Sequence, residues 1–167
     1  MSEFGKHPLI ERLESMANEA SPDRGNLARL RRALQDPVEA YPVILPYMRP
    51  DAGAREVDMY AALAALFAIH PKTSHGRNFG EHMKLAAGEN IEATERRFTN
   101  LLRANAEDLP VLLRQAVSFL RSKEIAVNWE QLRKDLLAWN HADRYVQKQW
   151  ARRFWGNQNT DDEKGEN

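Results

Sequence analysis

REVDMYAALAALFAI, residues 55–69, decides the fold class. Val57, Met59, Tyr60, Leu63, Leu66, Phe67 and Ile69, interleaved with five alanines, cover most of the circumference of a helix, and Pro71 forbids its continuation. Such a helix has to be enclosed on nearly every side, so it is expected at the centre of its lobe. Working outward toward the N-terminus, Pro42, Pro46 and Pro50 reduce residues 41–50 to a packed connector of short turns. Before the connector, helices are expected over residues 8–18 and 26–35, the second capped by Asn26 and stopped by Pro37. Toward the C-terminus, residues 72–80 form a polar, glycine-bearing loop, and a short helix from Glu81 breaks near Gly88. Four helices follow, near residues 91–104, 109–123, 129–139 and 142–155, and their short connections imply antiparallel neighbours. No run of alternating β-branched residues suggests a sheet. The expected fold is all-α: a two-lobed helical bundle of about eight helices, with an N-terminal lobe over residues 1–85 and a C-terminal four-helix bundle over 86–156. Residues 157–167, acidic and poor in apolar groups, are expected to be a disordered tail.

A chain of 167 residues, 43% apolar, can bury its own core. The absence of cysteine removes disulfides, thiol nucleophiles and cysteine-ligated zinc, and fits a reducing compartment. No segment approaches an uninterrupted membrane span, and Glu3 and Glu11 around Lys6 do not resemble a signal peptide, so a cytoplasmic location without membrane contact is expected. The formal net charge is zero, but it is unevenly distributed. Residues 91–156 hold 12 Lys and Arg against 8 Asp and Glu, residues 1–90 come to −1, and the last eleven to −3. Arginine outnumbers lysine 17 to 7, a bias that suits bidentate grips on phosphate or carboxylate.

The sequence carries no catalytic constellation. The five histidines, His7, His70, His75, His82 and His141, include no pair at metal-ligand spacing with an acidic partner. His141-Ala142-Asp143 reads as a helix start, and His70 before Pro71 as a charge at a helix C-terminus. Gly76 and Gly80 follow no strand and precede no Lys-Ser/Thr, so no nucleotide-binding fingerprint exists. Asp161 and Asp162 lie in the tail, with no pocket to separate their pKa values. No enzyme activity, cofactor or metal is expected.

Arginines, by contrast, fall on the faces that the apolar stripes leave outward. In the second helix Leu27, Leu30 and Leu34 mark the core side, with Arg29 and Arg32 outward. In the helix from Ile91 the core side is Ile91, Phe98, Leu101 and Leu102. Arg96 and Arg103 share the opposite face, flanked by Arg97. The next helix buries Leu112, Leu113, Ala116, Val117 and Leu120 and turns Arg114, Ser118 and Arg121 outward as a row without an acid. The last buries Val146, Trp150 and Phe154 and exposes Lys148, Arg152 and Arg153. Such rows on adjacent helices would make a strip that the phosphates of a strand could follow. Trp129, Trp139 and Trp150 fall on core faces.

The order of motifs is distinctive: Asn26-Leu-Ala-Arg-Leu-Arg-Arg-Ala33, His70-Pro71, Asn78-Phe79-Gly80, Glu95-Arg-Arg-Phe98, Leu109-Pro-Val-Leu-Leu-Arg114, Val127-Asn-Trp129 and Trp150-Ala-Arg-Arg-Phe-Trp155. Over residues 8–155 it resembles the CasB family, small subunits of the type I-E CRISPR surveillance complex Cascade. The resemblance implies a non-catalytic, two-lobed helical subunit. Its partners would be the backbone and large subunits, a second copy of itself, guide RNA, and target and non-target DNA, and its work would be to stabilise the R-loop. It carries a nucleic-acid role to Arg32, Arg97, Arg103 and Arg114, while Arg121 and Lys123 are added by helical phase. Arg77 lies in the matching connecting loop, with no role assigned. The neutral total charge implies weak binding by the isolated chain. Two other function classes compete: a helical protein–protein adaptor whose arginines meet acidic partner surfaces, and a small hydrolase.

Overall fold

The structure, a computed structural model, describes residues 5–157; of the expected acidic tail, residues 158–167 lie outside the described residues. The described chain is all-helical, with one isolated parallel bridge, Thr73 to Val127, and no strand.

Helix α1 (Pro8–Met16) starts with proline at a position whose N–H would lack a partner, and His7 caps it by accepting the Leu9 N–H. Helix α2 (Arg24–Arg31) begins two residues before its expected start. Asp23, not Asn26, is its cap: Asp23 accepts the Asn26 backbone N–H at 3.2 Å and its side-chain amide at 2.8 Å. A 3-10 turn, Arg32–Leu34, finishes it. The proline-rich connector is a 3-10 turn (Pro37–Ala40), the short α3 (Tyr41–Ile44) and another 3-10 turn (Leu45–Tyr47), as the proline spacing requires.

Helix α4 (Ala54–Ile69) is the spine, buried without interruption from Tyr60 to Ala68. It packs against α2 and α3 on one side and, on the other, against two later helices, α7 (Leu109–Ser122) and α8 (Trp129–Leu137). Between them lie α5 (Phe79–Ala87) and α6 (Ile91–Arg103), and α9 (Tyr145–Trp155) closes the second half. One continuous apolar cluster runs from Leu9 to Phe154. The expected lobe division between residues 85 and 86 falls inside α5, whose largest contact is with α9 and which also packs on α6 and α7. We propose that the division lies in the loop before α5, which then belongs to the second lobe.

The structure departs from further local expectations. Helix α9 starts at Tyr145 rather than at residue 142: His141 Nδ1 accepts the Asp143 N–H in a tight turn, and Arg144 takes a left-handed conformation while donating to the Leu102 carbonyl at 2.7 Å. Ile91, assigned to the core by phase, is the first residue of α6 and is 49% exposed. His70 is not a helix-terminal charge. It is buried, its Nε2 lies 2.7 Å from the Ile125 carbonyl and donates to it, and burial holds its pKa below the ordinary value.

That histidine belongs to a seam between the halves. The Ser74 N–H donates to the Val127 carbonyl at 2.9 Å, while the Lys72 carbonyl accepts from Val127 N–H at 3.0 Å and from Trp129 Nε1 at 3.1 Å. Buried His82 accepts the Asn128 N–H on Nε2 at 3.0 Å. Below the seam, Trp129, Trp139 and Trp150 are fully buried, each with its indole N–H bonded: to Lys72, Ala104 and Asp135. Helix α5 meets α9 where Gly80 lies against the Trp150 carbonyl, leaving no room for a Cβ.

Gly80→Ala is therefore expected to lower the unfolding free energy in urea by about 1–3 kcal/mol. Gly25→Ala, within α2 and with no described residue within 4 Å of its added Cβ, is expected to raise it by about 0.5–1 kcal/mol. Burial, assisted by the Arg77 charge, pushes His82 down from 6.5 to about 4. Its contribution to stability is complete above pH 6.5, the unfolded value, and is lost as pH falls toward 4. His70 acts in the same direction, and buried Asp135, raised by desolvation, offsets part of the loss. Between pH 7.5 and 5 the His82 contribution alone should remove about 2 kcal/mol. His82→Gln, which keeps an acceptor for Asn128, should flatten that slope in urea titrations; an unchanged slope would assign the pH dependence elsewhere.

Candidate nucleic-acid interface

The cations singled out by sequence divide into distinct groups. On the first half, Glu39 receives Arg29 Nε at 2.8 Å and Arg32 Nε at 3.4 Å. The hydrogen bond from Arg29 is the main force holding the Glu39 carboxyl below the usual carboxylate range. The charges of Arg29 and Arg32 are thus partly neutralised by an acid that helical phase could not see, because Glu39 arrives from the turn beyond Pro37.

The arginines of α6 part company. Arg96 and Arg103 line a shallow hollow shared with Glu92 and Glu95, so acids accompany them on the same face. Glu95 accepts the indole N–H of half-exposed Trp155 at 3.0 Å. Arg97 lies on the other flank, its guanidinium 5.3 Å from the centre of the Phe119 ring. Lys123 joins it in a small hollow of about 160 Å³ between α5, α6 and the end of α7.

On α7, Arg114 and Arg121 are exposed and fall two turns apart on one edge. Phe119, with Arg97 above it, lies roughly 160° around the helix from Arg121 at 100° per residue. The strip expected across α6 and α7 is therefore two patches, one on each side of α7: Arg97 with Lys123, and Arg114 with Arg121. The second patch extends toward the seam, where the charges of Arg121 and Lys72 help to keep His70 neutral.

A third group forms where α5 and α8 begin and α9 ends. Exposed Arg77 lines an open cleft of about 690 Å³ with Asn128, Gln131, Gln149, Arg152 and Arg153. Arg153 also approaches Glu81 at 3.6 Å. The sequence reading places Arg152 and Arg153 outward but does not associate them with Arg77. The available signal was the Trp150-Ala-Arg-Arg-Phe-Trp155 run, in which the two apolar anchors fix the arginines on the opposite side. Among the described residues, no carboxylate lies within 4.0 Å of Arg77, Arg96, Arg97, Arg103, Arg114, Arg121 or Lys123. Unpaired exposed guanidinium groups keep their full capacity for phosphate oxygens.

Among the described residues no cluster of three or more His, Cys, Asp or Glu side chains is placed to hold a metal, and no helix is long and apolar enough to cross a membrane. His82, His70 and Asp135, whose pKa values are shifted chiefly by burial, are each bonded inside the core.

The family described as CRISPR-associated protein Cse2 matches residues 26–155. A CRISPR-associated protein Cse2 from Thermus thermophilus is 32% identical over 145 residues, 82% of each chain. The crystal structure of a Cse2-family CRISPR-associated protein, also from Thermus thermophilus, superposes with a TM-score of 0.77 at 28% identity, covering 89% of this chain and 96% of the other. A chain of a structure described as a CRISPR RNA-guided surveillance complex superposes with a TM-score of 0.72 at 26% identity, covering 87% and 88%.

Proposed function

This chain belongs to the CRISPR-associated Cse2 family, and from that premise we propose that it is the non-catalytic small subunit of a type I-E CRISPR surveillance complex, where its unpaired cations hold nucleic-acid backbone and stabilise the R-loop. The observation that carries this reading is the concentration of exposed cations without a carboxylate partner on the second half of the chain. Likeness to a surveillance-complex chain supports the assembly. The partners are the backbone and large subunits, a second copy of the chain, guide RNA and the two DNA strands, in the cytoplasm.

R-loop formation exchanges one duplex for another of similar stability, so modest backbone contacts decide whether it persists. Each phosphate neutralised releases condensed counterions, and this contribution weakens as salt rises. Arg97 with Lys123 and Arg114 with Arg121 offer two such contact points on opposite flanks of α7. Arg96 and Arg103, accompanied by Glu92 and Glu95, contribute less, as do Arg29 and Arg32 with Glu39. Arg77 serves the separate cleft. In the competing reading, an adaptor binding acidic protein surfaces, the same cations hold the complex together and never touch nucleic acid.

The deciding measurement is R-loop lifetime on a reconstituted complex at two salt concentrations. The complexes would carry the wild-type chain, a variant with Arg97, Arg114, Arg121 and Lys123 all changed to Ala, or no small subunit. We expect the variant to assemble and its R-loop to decay like that of the complex lacking the subunit, with a smaller dependence on salt. Wild-type lifetime in an assembled variant would refute nucleic-acid contact at these residues, and failure to assemble would favour the adaptor.

A further inference from the structure

The cleft at the start of α5 and α8 is built differently from the two patches on α7, and we propose that it receives one unpaired nucleotide, its phosphate on Arg77 and Arg152 and its base on side-chain amides. The assignment rests on the nucleic-acid reading above and deepens it: contact here extends beyond the backbone to a base.

The cleft's volume of about 690 Å³ falls within the range of roughly 300–1,000 Å³ typical of small-molecule sites. Its lining is dominated by amides and guanidinium groups, with one carboxylate, Glu81, which Arg153 approaches at 3.6 Å, whereas the Arg97–Lys123 hollow is small and partly alanine-lined. Two of the amides are already oriented. Asn128 caps α8 by accepting the Gln131 N–H on Oδ1 at 3.1 Å, and Gln131 donates through Nε2 to buried Asp135 at 2.9 Å. These bonds leave the Asn128 Nδ2 donor and the Gln131 Oε1 acceptor without a partner among the described residues, one on each of two residues that line the cleft. The exposed Gln149 side chain holds no hydrogen bond among the described residues and supplies a further donor and acceptor. Asn and Gln amides match the adjacent donor and acceptor on a base edge. A base within a duplex cannot enter such a cleft, whereas a splayed base in a single strand can. Among the described residues no aromatic ring lines the site, so planar contact with the base falls to a guanidinium group.

Rigid supports surround these groups. Gly80 against the Trp150 backbone fixes α5 to α9, the Asn128 N–H is held by His82, and Ser74 is bonded to Val127 just before the turn that carries Arg77. The Arg77 charge reaches His82 beneath the cleft, and burial is the larger cause keeping that imidazole neutral. The site is therefore preformed, and binding loses little to ordering.

The test uses the full ¹⁵N-labelled chain, following the side-chain amide signals of Asn128, Gln131 and Gln149 by NMR. Three probes are titrated: deoxyadenosine 5′-monophosphate, deoxyribose 5-phosphate and inorganic phosphate. The nucleotide should shift these signals and bind at least about fivefold tighter than the abasic sugar phosphate, the low end for one good base contact. Gln149→Ala should erase that ratio, and Arg152→Ala should weaken both probes; both positions are exposed, so the fold should survive. Equal affinity for nucleotide and abasic phosphate would overturn the proposal and leave only an anion site. Unmoved cleft signals, together with an R-loop that still depends on Arg97, Arg114, Arg121 and Lys123, would overturn it while sparing the function proposed above. Base-dependent binding in the cleft with an unaffected R-loop lifetime in the α7 variant would instead remove that function's seat.

Discussion

A helix with no polar side has to be enclosed, and enclosing α4 determines where the rest of the chain goes. From Tyr60 to Ala68 every side chain of α4 is buried. Burying that surface is worth about 25 cal/mol per Å² removed from water, and one neighbouring pair of helices cannot cover all of it. Helices α2 and α3 cover one side and α7 and α8 another, so residues far apart in sequence are drawn to one core. The alanines along α4 allow these neighbours to approach closely, and the large side chains between them fill the remaining space.

Joining the halves around α4 creates the seam, and the seam fixes the spatial relation of the charged groups. Residues 70–74 run beside 125–129 through backbone bonds, the Trp129 indole and two histidines kept neutral by burial. The segment leads on one side to Arg77 and on the other back to Arg121 through the left-handed Glu124. A polar group buried without a partner costs roughly 1–3 kcal/mol, and among the side-chain atoms of the described residues only Gln147 Oε1 is in that position.

Zero net charge conceals a segregation that suits a subunit of a larger assembly. The first half pairs most of its cations with its own acids, as Glu39 does with Arg29 and Arg32, and leaves Arg24, Arg31 and Arg55 without a carboxylate among the described residues. The second half leaves Arg97, Arg114, Arg121, Lys123 and Arg77 without a carboxylate among the described residues. Exposed ion pairs contribute little to stability, so leaving these cations unpaired costs the fold little. Held in an array with other chains, the same cations add to a common electrostatic surface.

The all-helical class, the central place of residues 55–69, the burial of Trp129, Trp139 and Trp150 and the outward direction of the arginines were legible in the sequence, because 3.6-residue periodicity and proline positions are local properties. The order of motifs likewise led to the family. Helix starts were less legible: Asp23 replaced Asn26 as a cap, and α9 waited until Tyr145, because capping depends on which neighbouring group reaches the backbone. Phase shows that a side chain points away from its own core but not which other element lies beside it. Only the tertiary structure placed Glu39 on Arg29, divided Arg97 from Arg96 and Arg103, and gathered Arg77, Gln149 and Arg152 around one cleft. Those associations join residues dozens of positions apart, and they are set by how helices pack around α4, which no single helix encodes.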